Sequence, residues 1–257
     1  MERIDLHLHL LPGIDDGAAD LAAAVAHARR MVTAGTTVAT VTPHVGAPYF
    51  PAVVPEEIAA RTAALQAALD EEAIPLRLLP GGELHADGTD ALDDRRLHRI
   101  AQGPERRRWL LVEVPFGGLD EAFCDRVREL GLRGFGVVLA HPERVRGLVR
   151  AGGLRLLREL VLEGAAIQVN LCSLLGRNGP EVRGAATALL DARLIHVLAT
   201  DAHPGRRDVT FADAVRTGLP PETLQLLTAR NPAALLNQGL RPVGEVGHAA
   251  PLGGRRR

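Results

Sequence analysis

Ile4-Asp5-Leu6-His7-Leu8-His9 is the stretch from which the rest of the chain can be read. Apolar and polar residues alternate, the period of a strand whose successive side chains point to opposite faces. Asp5, His7 and His9 therefore share one face, and Leu6 and Leu8 the other. Six further short apolar runs follow: Thr37–Thr42, Leu76–Glu83, Trp109–Val114, Gly136–Ala140, Ala166–Leu171 and Ile195–Thr200. Between them lie helical patterns over Leu21–Ala34, Pro55–Glu72, Glu121–Leu130, Leu154–Glu163 and Val182–Ala192. Asp20 is placed to cap the first of these, and Gly35 and Gly164 to end the first and fourth. Strands alternating with helices predict an α/β chain with parallel strands. A single closed barrel is favoured over an open doubly wound sheet, for which no GxGxxG or Walker signature speaks.

The composition agrees. The chain has 257 residues, 46% of them hydrophobic, about the length of one α/β barrel. A net charge of -1 and no basic stripe in the folded part give no footprint for nucleic acid. No stretch resembles a signal peptide or a membrane span. Two cysteines, Cys124 and Cys172, make no disulfide framework, so a reducing cytoplasm is expected. The segment from Gln238 to Arg257 is rich in Gly and Pro and is expected to be a disordered tail behind one domain over 1–237.

The same period-two reading aligns Thr42 with His44, Gly81 with Glu83, Leu111 with Glu113, Leu139 with His141, Gln168 with Asn170, and Ala199 with Asp201 and His203. Catalytic groups of a barrel collect at the carboxyl ends of its strands, so these residues converge on one mouth. Taken singly, each has a plain structural explanation as a cap or a rim charge. As a set, His7, His9, Asp16, His44, Glu83, Glu113, His141, Asp201 and His203 would repel or desolvate one another without a compensating cation. Divalent ions remove that conflict. Imidazole with carboxylate and no thiolate suits Mn²⁺, Fe²⁺ or Zn²⁺ in a hydrolytic site of several ions, with Glu83 or Glu113 as a bridge.

Neither cysteine fits a thiol phosphatase, which needs Arg six positions after Cys: those positions hold Leu130 and Asn178. Arg144, in His141-Pro142-Glu143-Arg144, and Arg206 and Arg207 after His203 are candidate phosphate contacts, since a guanidinium fork matches two phosphate oxygens.

His7-Leu8-His9, Leu11-Pro12-Gly13-Ile14-Asp15-Asp16-Gly17, Thr42-Pro43-His44, Gly82-Glu83, Leu111-Val112-Glu113, Ala140-His141-Pro142-Glu143-Arg144 and Thr200-Asp201-Ala202-His203 follow one another in a familiar order. Together with Asn170 and Ser173-Leu174-Leu175-Gly176, they resemble the capsule-type bacterial tyrosine-protein phosphatases of the PHP (polymerase and histidinol phosphatase) superfamily. The resemblance extends to about Asn237. It implies a distorted seven-stranded (β/α)7 TIM-like barrel and a site of three ions, often Mn²⁺. It further implies hydrolysis of phosphotyrosine in a tyrosine kinase that controls polysaccharide export. Carried over, the nine residues named above are the metal ligands. Arg144 binds phosphate, Arg207 is the better second contact, and Asp16 or His203 supplies the proton to the leaving oxygen.

Two departures stand out. Val45-Gly46-Ala47-Pro48-Tyr49-Phe50-Pro51 replaces a short polar stretch and is a lid, an aromatic rim or a packed loop. Asp208-Val209 stands where prolines are usual. Competing functions are a small-molecule phosphatase, such as one for histidinol phosphate, and a binding module that keeps the fold without catalysis. An amidohydrolase with a bridging lysine is excluded, because the chain contains no Lys.

Overall fold

The computed structural model describes residues 2–89 and 91–244. Chain order runs β1 (Arg3–Leu8), α1 (Leu21–Thr33), β2 (Thr36–Val41), β3 (His44–Val45), α2 (Pro55–Glu71), β4 (Arg77–Pro80), β5 (Glu83–Leu84), α3 (Asp94–Ile100) and β6 (Trp109–Glu113). It continues α4 (Glu121–Leu132), β7 (Gly136–Ala140), α5 (Gly153–Leu162), β8 (Ala166–Asn170), α6 (Leu171–Leu174), α7 (Pro180–Asp191), β9 (Val197–Ala199), α8 (Pro221–Gln225) and α9 (Asn231–Gln238). No helix among the described residues is long and apolar enough to cross a membrane.

All strand pairs among the described residues are parallel, in a sheet of order β1-β2-β4 and another of order β3-β5-β6-β7-β8-β9. The expected strand Leu76–Glu83 is thus divided, and the one at Thr37–Thr42 is followed by a further short strand, β3. Pro43 lacks an N–H and separates β2 from β3. Gly81 and Gly82 separate β4 from β5, where a Cβ at Gly81 would stand 2.6 Å from Thr40 Cγ2 and one at Gly82 2.9 Å from Val45 Cγ2. Only glycine lets the two breaks lie that close. Backbone hydrogen bonds cross the junction: Leu8 O accepts from Thr42 N at 2.9 Å and Pro43 O from Glu83 N at 3.0 Å. On its other side β1 meets the segment after β9, with Asp201 N donating to His7 O at 2.8 Å and His9 N to Ala202 O at 2.9 Å.

The helices begin where the sequence marks them. Asp20 and Asp120 accept from Ala23 N and Phe123 N at the starts of α1 and α4, satisfying N–H groups the helix itself leaves open. The short α3, capped by Asp93, has too few turns to show an apolar stripe and escapes the periodicity reading.

A large core fills the space between strands and helices, with Val112, Val137, Leu139, Ile167, Val169 and Leu198 facing outward onto it. A second, smaller cluster holds Leu6, Trp109, Leu111, Val138, Ala140, Ala166, Val197 and Leu235. Leu111 and Ala166 precede Glu113 and Gln168 by two residues on the same strand faces, so this apolar plug lies beneath the polar site. Trp109 is its anchor: wholly buried, it donates through Nε1 to the carbonyl of Leu235 at 3.1 Å.

The period-two alignment of Leu139 with His141 is corrected by this packing. Leu139 faces the outer core, while His141 reaches the site because its backbone turns through φ 36. Residues 238–244 of the segment expected as a tail pack on the fold. Gln238 ends α9, Leu240 N donates to Arg107 O at 3.2 Å, Val243 is buried, and Gly244 N donates to Glu163 O at 2.8 Å. Residues 245–257 lie outside the described residues.

Candidate metal centre

β1 carries His7, with His9 just beyond its end, β3 carries His44, β5 Glu83 and β6 Glu113, while His141, Asp201 and His203 follow β7 and β9. His141 and Asp201 both have left-handed backbones, at φ 36 and φ 47. That conformation is costly for residues with a Cβ and persists where the surrounding structure holds it. It re-aims both side chains across the strand ends.

All nine residues predicted as ligands fall into four overlapping groups whose ligand atoms lie within 4.8 Å of one another. The groups are His9, Asp16, His44 and His203; His7, His9 and Asp201; His7, Glu83 and His141; and His44, Glu83 and Glu113. Glu83 is their hub. Its Oε2 lies 3.4 Å from Nε2 of both His7 and His9 and 3.0 Å from His44 Nδ1, yet it makes no hydrogen bond. Asp16 Oδ1, His44 Nδ1 and His141 Nδ1 are likewise buried and unsatisfied. Such groups are costly unless something else binds them. Two donors held at about 2.1 Å by one ion, at right or tetrahedral angles, stand about 3.0–3.4 Å apart. The spacing around Glu83 is of this kind, and the donor set fits divalent ions.

The electrostatics of these side chains show the same conflict. Against burial, which favours neutral imidazole, Asp15 and Glu83 hold His9 up at about 9. Glu83 and Asp16 likewise hold His44 up at about 11. Burial and the neighbouring Glu83 push Glu113 up to about 8. Burial would raise Glu83 too, but His7, His44 and His141 keep it well below the usual carboxylate range. An ion at this centre would compete with protons for these side chains.

An outer ring of buried groups aims the ligands. His9 Nδ1 donates to Asp15 Oδ2 at 2.7 Å, leaving Nε2 toward Glu83. Asp15 also accepts from His44 N at 3.2 Å and Gly17 N at 3.0 Å. β8 provides no ligand but a chain of amides: His7 Nδ1 donates to Gln168 Oε1 at 2.9 Å and Gln168 Nε2 to Asn170 Oδ1 at 2.8 Å. Asn170 Nδ2 then donates to Asp201 Oδ2 at 2.5 Å. Glu143 Oε1 anchors that chain, accepting from Asn170 N at 2.9 Å and Ser173 Oγ at 2.8 Å. The sequence reading missed Asp15 and gave Gln168 no role. The signal was available: an imidazole ligand needs an acceptor for its other nitrogen, and Asp15 adjoins Asp16. His85, also missed, approaches Glu113 at 3.8 Å.

Residues 3–237 match the family described as capsular polysaccharide synthesis, CpsB/CapC. The chain belongs to that family. It is 35% identical to the tyrosine-protein phosphatase YwqE of Bacillus subtilis over 202 residues, 78% of this chain and 77% of that protein. It is 28% identical to the putative tyrosine-protein phosphatase CapC of Staphylococcus aureus over 200 residues, 78% of this chain and 76% of that protein. A solved structure from work on YwqE of Bacillus subtilis and CpsB of Streptococcus pneumoniae, described there as metal-dependent tyrosine phosphatases, superposes with a TM-score of 0.75. That match has 29% identity and covers 95% of this chain and 100% of the other. A phosphotriesterase homology protein from Escherichia coli, at 12% identity and a TM-score of 0.55 over 90% of this chain and 97% of that one, shares the fold.

The three arginines of this CpsB/CapC chain are placed differently. Arg144 stacks over the Phe116 ring at 4.5 Å and reaches Asp201 Oδ2 at 3.4 Å. Arg207 turns inward: its Nε donates to Asp201 O at 2.7 Å, and its Nη2 lies 2.8 Å from Asp201 Oδ1. Arg206 points out, with 70% of its side chain exposed and Asp16 Oδ2 3.7 Å away. The 45–51 loop, whose role the sequence leaves open, packs Phe50 against the core and leaves Tyr49 exposed. Phe50 stacks on His44 at 5.3 Å, while Tyr49, 54% exposed, stands edge-on to His44 at 6.1 Å. Phe116, 38% exposed, flanks His141 at 5.6 Å. Cys124 and Cys172 are buried and unpaired, and burial raises both thiols, Cys124 to about 11. Neither is a thiolate nucleophile.

Proposed function

We propose that this protein is a metal-dependent phosphoesterase that hydrolyses phosphotyrosine in a protein substrate, a tyrosine kinase governing polysaccharide synthesis or export. The observation that carries the reading is Glu83 Oε2, buried among three imidazole nitrogens without a hydrogen bond, in a chain whose named relatives are tyrosine phosphatases. His7, His9, Asp16, His44, Glu83, Glu113, His141, Asp201 and His203 would hold three divalent ions, Mn²⁺ by preference and Fe²⁺ or Zn²⁺ otherwise. Bound there, the ions make water acidic enough to supply hydroxide near neutral pH and screen the phosphoryl oxygens.

The chain's own residues do the rest. Arg144, braced on Phe116, binds the phosphoryl group as a charged fork, with Arg207 as a second contact behind it. Tyr49 and Phe116 offer exposed ring surface to the phenyl group beside the ligands His44 and His141. Asp16 or His203, 3.2 Å apart, would handle the proton of the leaving oxygen, whichever of the two is not taken up by an ion.

The strands support a seven-stranded TIM-like barrel if β2 with β3 and β4 with β5 each count as one, closed where β1 bonds to Asp201 and Ala202. One phosphatase domain over 1–237 and a cytoplasmic location, in keeping with two unpaired cysteines, belong to the same proposal.

The test is hydrolysis of a phosphotyrosine peptide beside histidinol phosphate, with and without Mn²⁺ after chelation. Activity restored by Mn²⁺ and favouring the peptide is the expected outcome. A preference for histidinol phosphate would move the function to a small-molecule phosphatase, and activity indifferent to metal would overturn the site.

A further inference from the structure

Beside the metal centre a groove of about 430 Å³ is lined by Asp16, Arg177, Asn178, His203, Arg206, Arg207 and Asp208. It opens directly from the centre, because Asp16 and His203 belong to both. Its polar groups are unequally committed. Asp208 is held by Arg30 at 2.6 Å and accepts from Gly205 N at 3.3 Å. Asn178 Nδ2 donates to Ser173 Oγ at 3.1 Å, and Arg207 is turned onto Asp201.

Two cations remain on the wall. Arg177 uses Nη2 on Asp213 at 2.6 Å, with its side chain 37% exposed. Arg206, 70% exposed, has Asp16 as its nearest carboxylate at 3.7 Å. A guanidinium has five N–H donors in a planar fork and keeps its charge at every working pH. Each of these two therefore retains donors for a further anion. The carboxylates facing them are Asp213, which Arg177 shares with Arg216, Asp16, a candidate ligand whose charge an ion would offset, and Asp208, already paired with Arg30.

We propose that this groove is a second recognition site, taking an anionic side chain of the substrate segment that flanks the phosphotyrosine, with Arg177 and Arg206 as its readers. The inference rests on the phosphotyrosine reading and deepens it: the preferred segment carries carboxylates or a second phosphoryl group near the scissile one. It also divides the labour among the arginines. Arg144 and Arg207 serve the phosphoryl group at the ions, and Arg206 and Arg177 serve its neighbours.

The experiment compares kcat/KM of the Mn²⁺-loaded protein on three phosphotyrosine peptides, identical except for alanine, glutamate or phosphoserine beside the phosphotyrosine. Wild-type protein should favour the glutamate peptide over the alanine peptide by about fivefold through KM, the scale of one or two partly exposed charge-assisted contacts. Added salt should weaken that preference. The ratio should fall to about one in an R177Q/R206Q variant. Asp213→Asn frees Arg177 from its internal partner and should keep or raise the ratio, which separates recognition from damage to the loop. A phosphoserine peptide preferred above the glutamate one identifies a phosphoryl group as the ligand, and equal preference a carboxylate. Equal kcat/KM on all three peptides in wild type, or a ratio unchanged in the double variant, overturns the groove and leaves the phosphotyrosine reading intact. Hydrolysis of p-nitrophenyl phosphate with no peptide cleaved overturns both.

Discussion

Asp15→Asn tests the claim that the outer ring, and not the ligands alone, makes the metal centre. Asp15 Oδ2 accepts from His9 Nδ1 at 2.7 Å and from His44 N at 3.2 Å, and Oδ1 from Gly17 N at 3.0 Å. The amide keeps the shape but removes the charge and one acceptor, so either His9 or Gly17 faces an NH₂ group. Losing a charge-assisted hydrogen bond costs about 1.5–3 kcal/mol. At about 1.4 kcal/mol per tenfold, that is roughly 10- to 100-fold in metal affinity, the range usual for outer partners of histidine ligands. His9 is itself a shared member of two ligand groups, so the loss should fall on more than one ion. The assay strips the protein with a chelator, then titrates Mn²⁺ or Zn²⁺ against a chromogenic chelator, with circular dichroism of the metal-free variant as the fold control. A folded Asp15→Asn protein binding every ion within threefold of wild type, while His9→Ala loses metal, would refute the argument.

Arg144→Ala should lower phosphate-dependent turnover at least tenfold while metal content stays at the wild-type level; elemental analysis of a metal-poor variant would contradict a role in phosphate binding. Metal uptake at pH 7.5 should release protons, because His9 and His44, held at about 9 and about 11, are protonated in the metal-free protein and must give up those protons to an ion. The same pairs stabilise the metal-free fold fully below the unfolded value of about 6.5, and that stability is lost as pH rises through about 9 for His9. Calorimetry in two buffers of different ionisation enthalpy reads the release, and identical heats in both would deny it.

His27, lowered to about 4 by burial and Arg30, acts in the opposite sense. The unfolded chain binds a proton that the folded chain refuses, so stability falls as pH drops from about 6.5 toward 4, by about 2 kcal/mol at pH 5. A His27→Gln variant should show a flatter stability profile over that window in urea melts. Gly131→Ala places a Cβ 2.1 Å from Val243 O and should cost about 1–3 kcal/mol by overpacking. An unchanged melting temperature would deny that Val243 packs on α4.

Much of the site was legible because catalysis in parallel α/β folds gathers at strand ends, and strand ends are visible in a sequence. Turn residues after each apolar run placed His7, His9, His44, Glu83 and Glu113 at strand ends, but the face reading of Ile4–His9 failed: Leu6 joins the inner plug and Leu8 the outer core, across a register shift between Asp5 and Leu8. His141 shows the limit. Its period-two neighbour Leu139 faces the other way, since a single left-handed residue resets the face and no local pattern announces it. α3, with 7 residues, is too short for a helical period to appear.

What the sequence by itself determined was the inventory: parallel strands separated by helices, nine candidate metal ligands at or after their ends, no lysine, and cysteines outside any phosphatase motif. Those follow from local spacing and residue chemistry, which a chain carries whether folded or not. Tertiary structure alone decided the partnerships: Asp15 on His9, Gln168 on His7, Asn170 on Asp201, and Arg207 turned inward while Arg206 faces the groove. His7 and Gln168 stand 161 residues apart in the chain and 2.9 Å apart in the fold. Which acceptor meets which imidazole depends on the register and twist of strands packed around a common core. That is a collective property of the fold, which no window of sequence contains.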